Sequence, residues 1–387
     1  MPWTLSARSL YTPVEVVDHP QVVIEDGVIA EIRSAKKAEA TGRHEHFADA
    51  IIVPGFVDIH IHGGAGHDVM EDDPAALPAV EHLLAQHGVT SYFPTTVTAP
   101  MDATMRALDR LGRAVKSAAA ETAPAQSARA RPIGIHLEGP FISHARRGVH
   151  PPADLLPPRL QTFEKLWEAS HGQIKLLTIA PELEGAPELI AEAVRKGVCV
   201  SLGHSDATLE ATERGIAAGA RHATHTFNAM RPLSHRDPGI LGAVLVDDRL
   251  TADVIADGIH LDPAILDLFL RAKGPERAVL ITDAIAATGM PDGRYHLGSL
   301  EVDVKNGTCL SEGKLAGSVL TMDRAVQTVA RLPHWDLRKA VRLATYNPAR
   351  VVGMTGRGQL AVGMPADMVI LGGDGSVQKT VVGGIIN

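Results

Sequence analysis

Residues 54–63 read PGFVDIHIHG. A proline and a glycine precede a short apolar run, and the run ends in a His-x-His pair. Side chains alternate across a strand, so a strand over 56–62 puts His60 and His62 on the same side. Two imidazoles aimed at one point suit a metal ion. The plainer alternative is a polar strand end with two solvated histidines. The rest of the chain decides between them.

Outward from this stretch, similar apolar runs recur at 90–96, 133–138, 175–180, 199–204, 222–227, 252–256 and 278–283. Segments of helical period lie between them. In 101–115 the apolar residues Met101, Met105, Leu108, Leu111 and Val115 are spaced by three and four. Segments 187–197 and 208–219 behave alike, and each ends in glycine, as helix C-termini often do. Eight strands with intervening helices define an α/β chain and predict a (β/α)8 TIM-type barrel. An open doubly wound sheet is the competing arrangement, but no G-x-G-x-x-G follows a strand, so its cofactor signal is missing.

The two ends of the chain differ from the middle. In 21–32, QVVIEDGVIAEI, two apolar runs flank Asp26-Gly27, a strong hairpin signal. Segments 366–375 and 378–387 also read as strands with glycine turns. The economical organisation is a small β-sandwich domain built from 1–53 and 359–387, with the barrel, 54–358, inserted between them. The low-complexity stretch 118–131 reads as a surface connection.

Bulk properties narrow the function. The chain has 387 residues, 45% hydrophobic and 21% charged, as expected of a globular protein. A net charge of −8 argues against general binding to nucleic acid or anionic membranes. Cys199 and Cys309 are the only cysteines, which excludes a disulfide framework and fits a reducing compartment. No run approaches transmembrane length, and the N-terminus lacks a signal-peptide core. Together these predict a cytoplasmic protein.

In such a barrel, functional groups gather at the C-terminal ends of the strands. Here those ends carry His60 with His62, Glu138, His204, His225, Asp257 with His260, and Asp283. Polar groups at the ends of buried strands are costly unless satisfied. One such histidine is unremarkable; ligand-type residues at six of eight strand ends are not. Imidazole and carboxylate together suit Zn, Fe, Co or Mn. The predicted site is fed by His60, His62, Glu138, His204, His225 and Asp283. Glu138 is able to bridge two ions, and such a pair can activate one water. The Glu138 segment, GIHLEGP at 134–140, has glycines that allow close backbone approach. Asp206, after His204, is placed to cap the next helix. Asn228 and the Ala229 backbone, after His225, are placed to hydrogen-bond a polar ligand.

The segments HLEGPF (136–141), GHSDAT (203–208), THTFNAM (224–230), RDPG (236–239), DGIH (257–260) and TDA (282–284) follow one another in this order. With the His-x-His pair, they resemble the amidohydrolase superfamily and, within it, the N-acetylglucosamine-6-phosphate deacetylase family. The resemblance covers nearly the whole chain. It implies a metal-dependent hydrolase that converts the acetylated amino-sugar phosphate to glucosamine 6-phosphate and acetate. The family's metal ligands fall on Glu138, His204 and His225, its catalytic carboxylate on Asp283, and its carbonyl-polarising histidine on His150. Val149 stands beside that histidine among the substrate contacts. Some members lack histidines where His60 and His62 stand and hold one metal. This chain resembles members with two, so one or two divalent ions per subunit are expected, zinc foremost. Arg236 matches the family's phosphate-contacting arginine, with His260 assisting. Segment 315–322 matches a substrate-contacting loop, with Leu315 packing near the acetyl group and Ala316 and Gly317 offering backbone. In related enzymes phosphate contacts come from a neighbouring subunit, which implies a homodimer.

Two other functions compete. Another amidohydrolase, a cyclic amidase or a deaminase, has no use for a phosphate-reading Arg236 if its substrate is a neutral base. A non-catalytic scaffold would be expected to lose metal ligands, and this chain keeps them. Lys175, at the start of the fourth strand, is a candidate bridging ligand made redundant by Glu138. His67 and Asp68 are read as loop residues.

Overall fold

The computed structural model describes residues 2–34, 42–120 and 128–387. Part of the predicted surface connection at 118–131, and part of the predicted small domain, lie outside the described residues.

The apolar runs form a curled parallel sheet flanked by helices. Phe56–Ile61 pairs with Val89–Thr96, which pairs with Ile135–Glu138. The sheet continues through Ile174–Ile179 and Cys199–Leu202 to His222–Ala223. There the Ala223 N–H donates to Thr251 O at 3.0 Å and the Thr226 N–H to Asp253 O at 2.9 Å. These bonds carry the sheet to Ala252–Ile255, which pairs with Ala278–Ile281. Beyond it, the Asp283 N–H donates back to His60 O at 2.9 Å, and Ile61 bridges Ala284 in parallel. The last strand thus meets the first. Strands covered on both faces are largely apolar, and every residue of Ala278–Ile281 is buried.

The helices follow the predicted stripes. Met101–Ala120 buries Leu108, Leu111 and Val115 and runs five residues past the expected 115. Leu209–Ala218 ends at Gly219, whose φ is 120°. Its N-terminus corrects one expectation: Thr208, not Asp206, is the cap, accepting the Ala211 N–H. Asp206 lies too early in the turn and instead accepts from Arg146 Nε at 2.8 Å. The sixth strand also differs, stopping at Ala223 where 222–227 was expected.

Both ends of the chain share one eight-stranded sheet. The Asp26-Gly27 hairpin forms with Glu25 opposite Val28, and both turn residues have positive φ, 50° and 78°. A two-residue I′ turn requires this. The long strand Arg43–Pro54 lies at the centre, parallel to Trp3–Tyr11 and antiparallel to Met368–Leu371. Leu5, Val22, Ile24, Ile52 and Ile370 form a core of its own. The chain then passes Gly55 into the parallel sheet. A Cβ there would lie 2.1 Å from Thr90 Oγ1, so only glycine allows this approach.

A further four-stranded antiparallel sheet, Gly293–Leu297, Leu300–Lys305, Thr308–Ser311 and Lys314–Leu315, follows the last parallel strand. The strand–helix alternation does not anticipate it, although Asn306-Gly307 between alternating residues is a plain hairpin signal. Among the described residues, no helix is long and apolar enough to cross a membrane.

Candidate metal and substrate site

The predicted ligands converge where the parallel strands end. His60 and His62 sit on the first strand and just past its end, and Glu138 is the last residue of the third. His204, His225 and Asp283 each lie just past a strand with φ of 48°, 26° and 50°. Non-glycine residues seldom adopt this region, and such strain gathers at functional sites. Here it turns three strand ends inward. Asp253 holds the tightest of these turns: one oxygen accepts the His225 N–H, and the other accepts from His222 Nε2 at 2.9 Å.

Glu138 is the centre. Its Oε1 lies 3.1 Å from His225 Nε2, 3.3 Å from His204 Nε2 and 3.4 Å from His60 Nε2. Its Oε2 lies 3.3 Å from His62 Nε2 and 3.6 Å from His150 Nε2. Asp283 Oδ1 lies 3.2 Å from His62 Nε2 and 3.4 Å from His60 Nε2. All seven residues are buried.

The donor set fits a cation. His62 donates Nδ1–H to Thr95 O, and His204 donates Nδ1–H to Arg146 O, both at 3.0 Å. A carbonyl only accepts, so each neutral ring presents a lone pair at Nε2. The His204 Nε2 then faces Glu138 Oε1 at 3.3 Å, acceptor against acceptor, with the His225 Nε2 3.1 Å away. His60 Nδ1 and His225 Nδ1 are buried without a hydrogen-bond partner. Two ligand-type groups result, His60 with His62 and Asp283, and Glu138 with His150 and His204. Glu138 joins the two groups, with His204 and His225 on one oxygen and His62 on the other, so the cluster as a whole could hold one or two divalent ions.

Burial would lower His62, but hydrogen bonds and charge from Asp283 and Glu138 raise it to about 10. Burial is likewise outweighed at His225, where Glu138 raises it to about 9. At His204 burial wins, and it falls to about 4. Burial would raise both carboxylates. The His60 charge and the imidazole hydrogen bonds instead hold Glu138 well below its usual range and Asp283 at about 2.

One pocket joins most of the predicted residues. His62, Glu138, His150, His204, His225 and Asp283 line its floor, while Val149, Asn228, Ala229, His260, Leu315 and Gly317 line its sides. His60 is fully buried below it. His260 Nδ1 lies 2.7 Å from Asp257 Oδ2, which fixes the ring and leaves Nε2 free for a ligand. Two expectations fall elsewhere. Ala316 does not line the pocket: next to the outward Leu315, it turns into an apolar cluster with Ile285, Leu297 and Val302. Arg236 stands exposed on the turn between Ser234 and Asp237, outside the pocket lining of its own chain. Lys175 lies 5.9 Å over the Trp167 ring, apart from the site.

The pocket also has walls that sequence reasoning missed. Val97 follows the second strand, and Leu297 comes from the antiparallel sheet. Gly148 has a φ of 58°, and a Cβ there would lie 3.3 Å from His204 Cε1. Its signal was the RGVH segment itself, a glycine two residues before His150.

Comparison with known proteins agrees with this geometry. Residues 51–386 match the amidohydrolase family model. An N-acetylglucosamine-6-phosphate deacetylase from Lysinibacillus sphaericus is 37% identical over 94% of this chain and 92% of its own. An N-acetylgalactosamine-6-phosphate deacetylase from Escherichia coli O157:H7 is 37% identical over 99% of both chains. The structure of a mutant N-acetyl-D-glucosamine-6-phosphate deacetylase from Mycobacterium smegmatis, in complex with N-acetyl-D-glucosamine-6-phosphate, superposes with a TM-score of 0.91. It is 35% identical and covers 100% of this chain and 99% of that one. The ordered motifs, the convergent ligands and these relatives together establish that the chain belongs to the amidohydrolase family, among its N-acetylglucosamine-6-phosphate deacetylases.

Proposed function

We propose that this protein hydrolyses the N-acetyl amide of N-acetylglucosamine 6-phosphate, giving glucosamine 6-phosphate and acetate. The observation that carries this reading is the set of five imidazoles and two carboxylates gathered at and just beneath one pocket floor, with the lone pairs of His62 and His204 turned toward Glu138. Glu138, His204 and His225 would hold one divalent ion, and His60 and His62 would contribute to a second. Zinc suits the mixed nitrogen and oxygen set, as do Fe, Co and Mn. When bound, such an ion supplies Lewis-acid polarisation and a water acidified toward neutrality.

The chain's own residues do the rest. Asp283 accepts the proton of the attacking water as general base. His150 donates a hydrogen bond to the carbonyl oxygen as negative charge develops there. Asp283 returns the proton to the sugar nitrogen as the C–N bond breaks, because an amide nitrogen leaves poorly until protonated. Leu315 and Gly317 flank the acyl group, and Asn228, the Ala229 backbone, Val149 and His260 hold the sugar phosphate.

The architecture behind this reading is a closed (β/α)8 barrel, 54–358, with a small β domain from 1–53 and 359–387. The return bond from Asp283 to His60 supports closure. Arg236, exposed on its own chain, suits a homodimer in which it reaches the neighbour's phosphate. The two free cysteines suit a cytoplasmic setting.

Arg236→Ala is expected to raise KM for the phosphorylated sugar about tenfold or more and to leave the unphosphorylated sugar nearly unchanged. Equal loss on both removes the phosphate role. His60→Ala with His62→Ala is expected to lower the metal bound per chain, measured by elemental analysis. An unchanged ratio takes both histidines out of the metal site. The relative named for the galactosamine substrate supports a second reading, in which the 4-epimer is preferred. Comparing kcat/KM for acetate release from the two phosphates separates them: the higher value identifies the substrate.

A further inference from the structure

Thr98 lies just past the second parallel strand and is 3% exposed, as is His150. The Thr98 N–H donates to His150 Nδ1 at 3.3 Å, and Thr98 Oγ1 stands 2.8 Å from the same nitrogen. A backbone N–H can only donate, so Nδ1 is the accepting nitrogen and the hydroxyl donates to it as well. The proton of the neutral ring therefore sits on Nε2. That atom opens on the pocket and lies 3.6 Å from Glu138 Oε2, beyond hydrogen-bond length.

His62 has the opposite arrangement, set three residues earlier in the same segment. Its Nδ1–H goes to Thr95 O, which leaves a lone pair at Nε2. One short stretch, 95–98, thus sorts two neighbouring histidines: a carbonyl makes one a ligand, and an N–H with a hydroxyl makes the other a donor. Gly139 supports the second arrangement. Its φ is 75°, and a Cβ there would lie 2.3 Å from Thr98 Oγ1. The residue after Glu138 leaves room for the hydroxyl.

We propose that Thr98 is a positioning residue that fixes the His150 tautomer, so that Nε2–H faces the substrate carbonyl and His150 is withheld from metal ligation. This rests on the reading of His150 as the carbonyl-polarising group. The first test is direct. In the zinc-loaded protein labelled with 15N-histidine, with His150→Gln to assign the signal, Nδ1 is expected to be unprotonated and Nε2 protonated. A proton on Nδ1 overturns the proposal.

Kinetics supply the second test. Thr98→Val is expected to lower kcat about tenfold on the N-acetyl substrate with KM within about twofold and zinc content unchanged. The loss is smaller on the N-trifluoroacetyl analogue, whose carbonyl needs less polarisation. Thr98→Ser, which keeps the hydroxyl, restores kcat to within about threefold. A general packing defect would not depend on the acyl group, so equal loss on both substrates overturns the proposal, as does Ser behaving like Val. His150→Gln keeps the two failures apart. If it shows no acyl-group dependence, the underlying role of His150 is wrong. If it shows one and Thr98→Val does not, only the role of Thr98 is wrong.

Discussion

Asp283→Asn lowers turnover of the acetylated sugar phosphate by about a thousandfold or more while the bound metal stays at its wild-type level. Asparagine keeps the size of the side chain and an acceptor oxygen but cannot carry the proton. The backbone holds its place without the carboxylate: the Asp283 N–H donates to His60 O at 2.9 Å, and its carbonyl accepts the Ser318 N–H at 2.8 Å. The carboxylate is also kept ionised. Burial pushes it up, but the His60 and His62 imidazoles beside it hold it below the usual carboxylate range, so it is ionised at neutral pH. Activity within tenfold of wild type contradicts the role given to Asp283. Loss of metal along with activity moves Asp283 from base to ligand.

Glu138→Gln removes both metal and turnover. The Glu138 oxygens stand within 3.1 to 3.6 Å of five imidazole nitrogens, and no other carboxylate among the described residues lies among all five. An amide presents N–H hydrogens where lone pairs or an ion must sit, and it leaves the charge of any ion unbalanced. Elemental analysis of the purified variant is expected to find less than about a tenth of the wild-type metal, since losing one buried charged partner costs about 3 kcal/mol or more. Retained metal with retained activity places the centre elsewhere.

Much of this was legible in the chain. Buried parallel strands are continuous apolar runs, and all eight appear within a few residues of their expected places. Ligand-type residues at their ends could be read directly, because a polar residue closing a buried apolar run must be satisfied by a partner or a ligand. The sixth strand was overextended because HATHTF keeps strand-like residues where Asp253 bends the backbone at His225. That bend depends on a carboxylate 28 positions away, which no local pattern shows. The sheet at 293–315 did carry a local signal in Asn306-Gly307, yet its charged, alternating strands look unlike the apolar runs around them. Thr98, Val97 and Leu297 were illegible for a different reason. Threonine, valine and leucine are ordinary at strand ends, and they gain meaning only when the fold sets Thr98 against His150 and Val97 and Leu297 on the pocket wall. Asp58 is similar: buried beneath His60, it accepts the Thr282 hydroxyl at 2.6 Å and so ties the first strand to the last.

If the residues gathered at the ends of these strands hold the divalent ion on which acetate release depends, removing that ion stops turnover. The direct measurement is acetate released from N-acetylglucosamine 6-phosphate by protein stripped with a chelator, then by the same protein reloaded with zinc. No release above background is expected after stripping, with recovery of turnover on reloading. Undiminished release from fully stripped protein, or none from the reloaded protein with either epimer of the substrate, would contradict it.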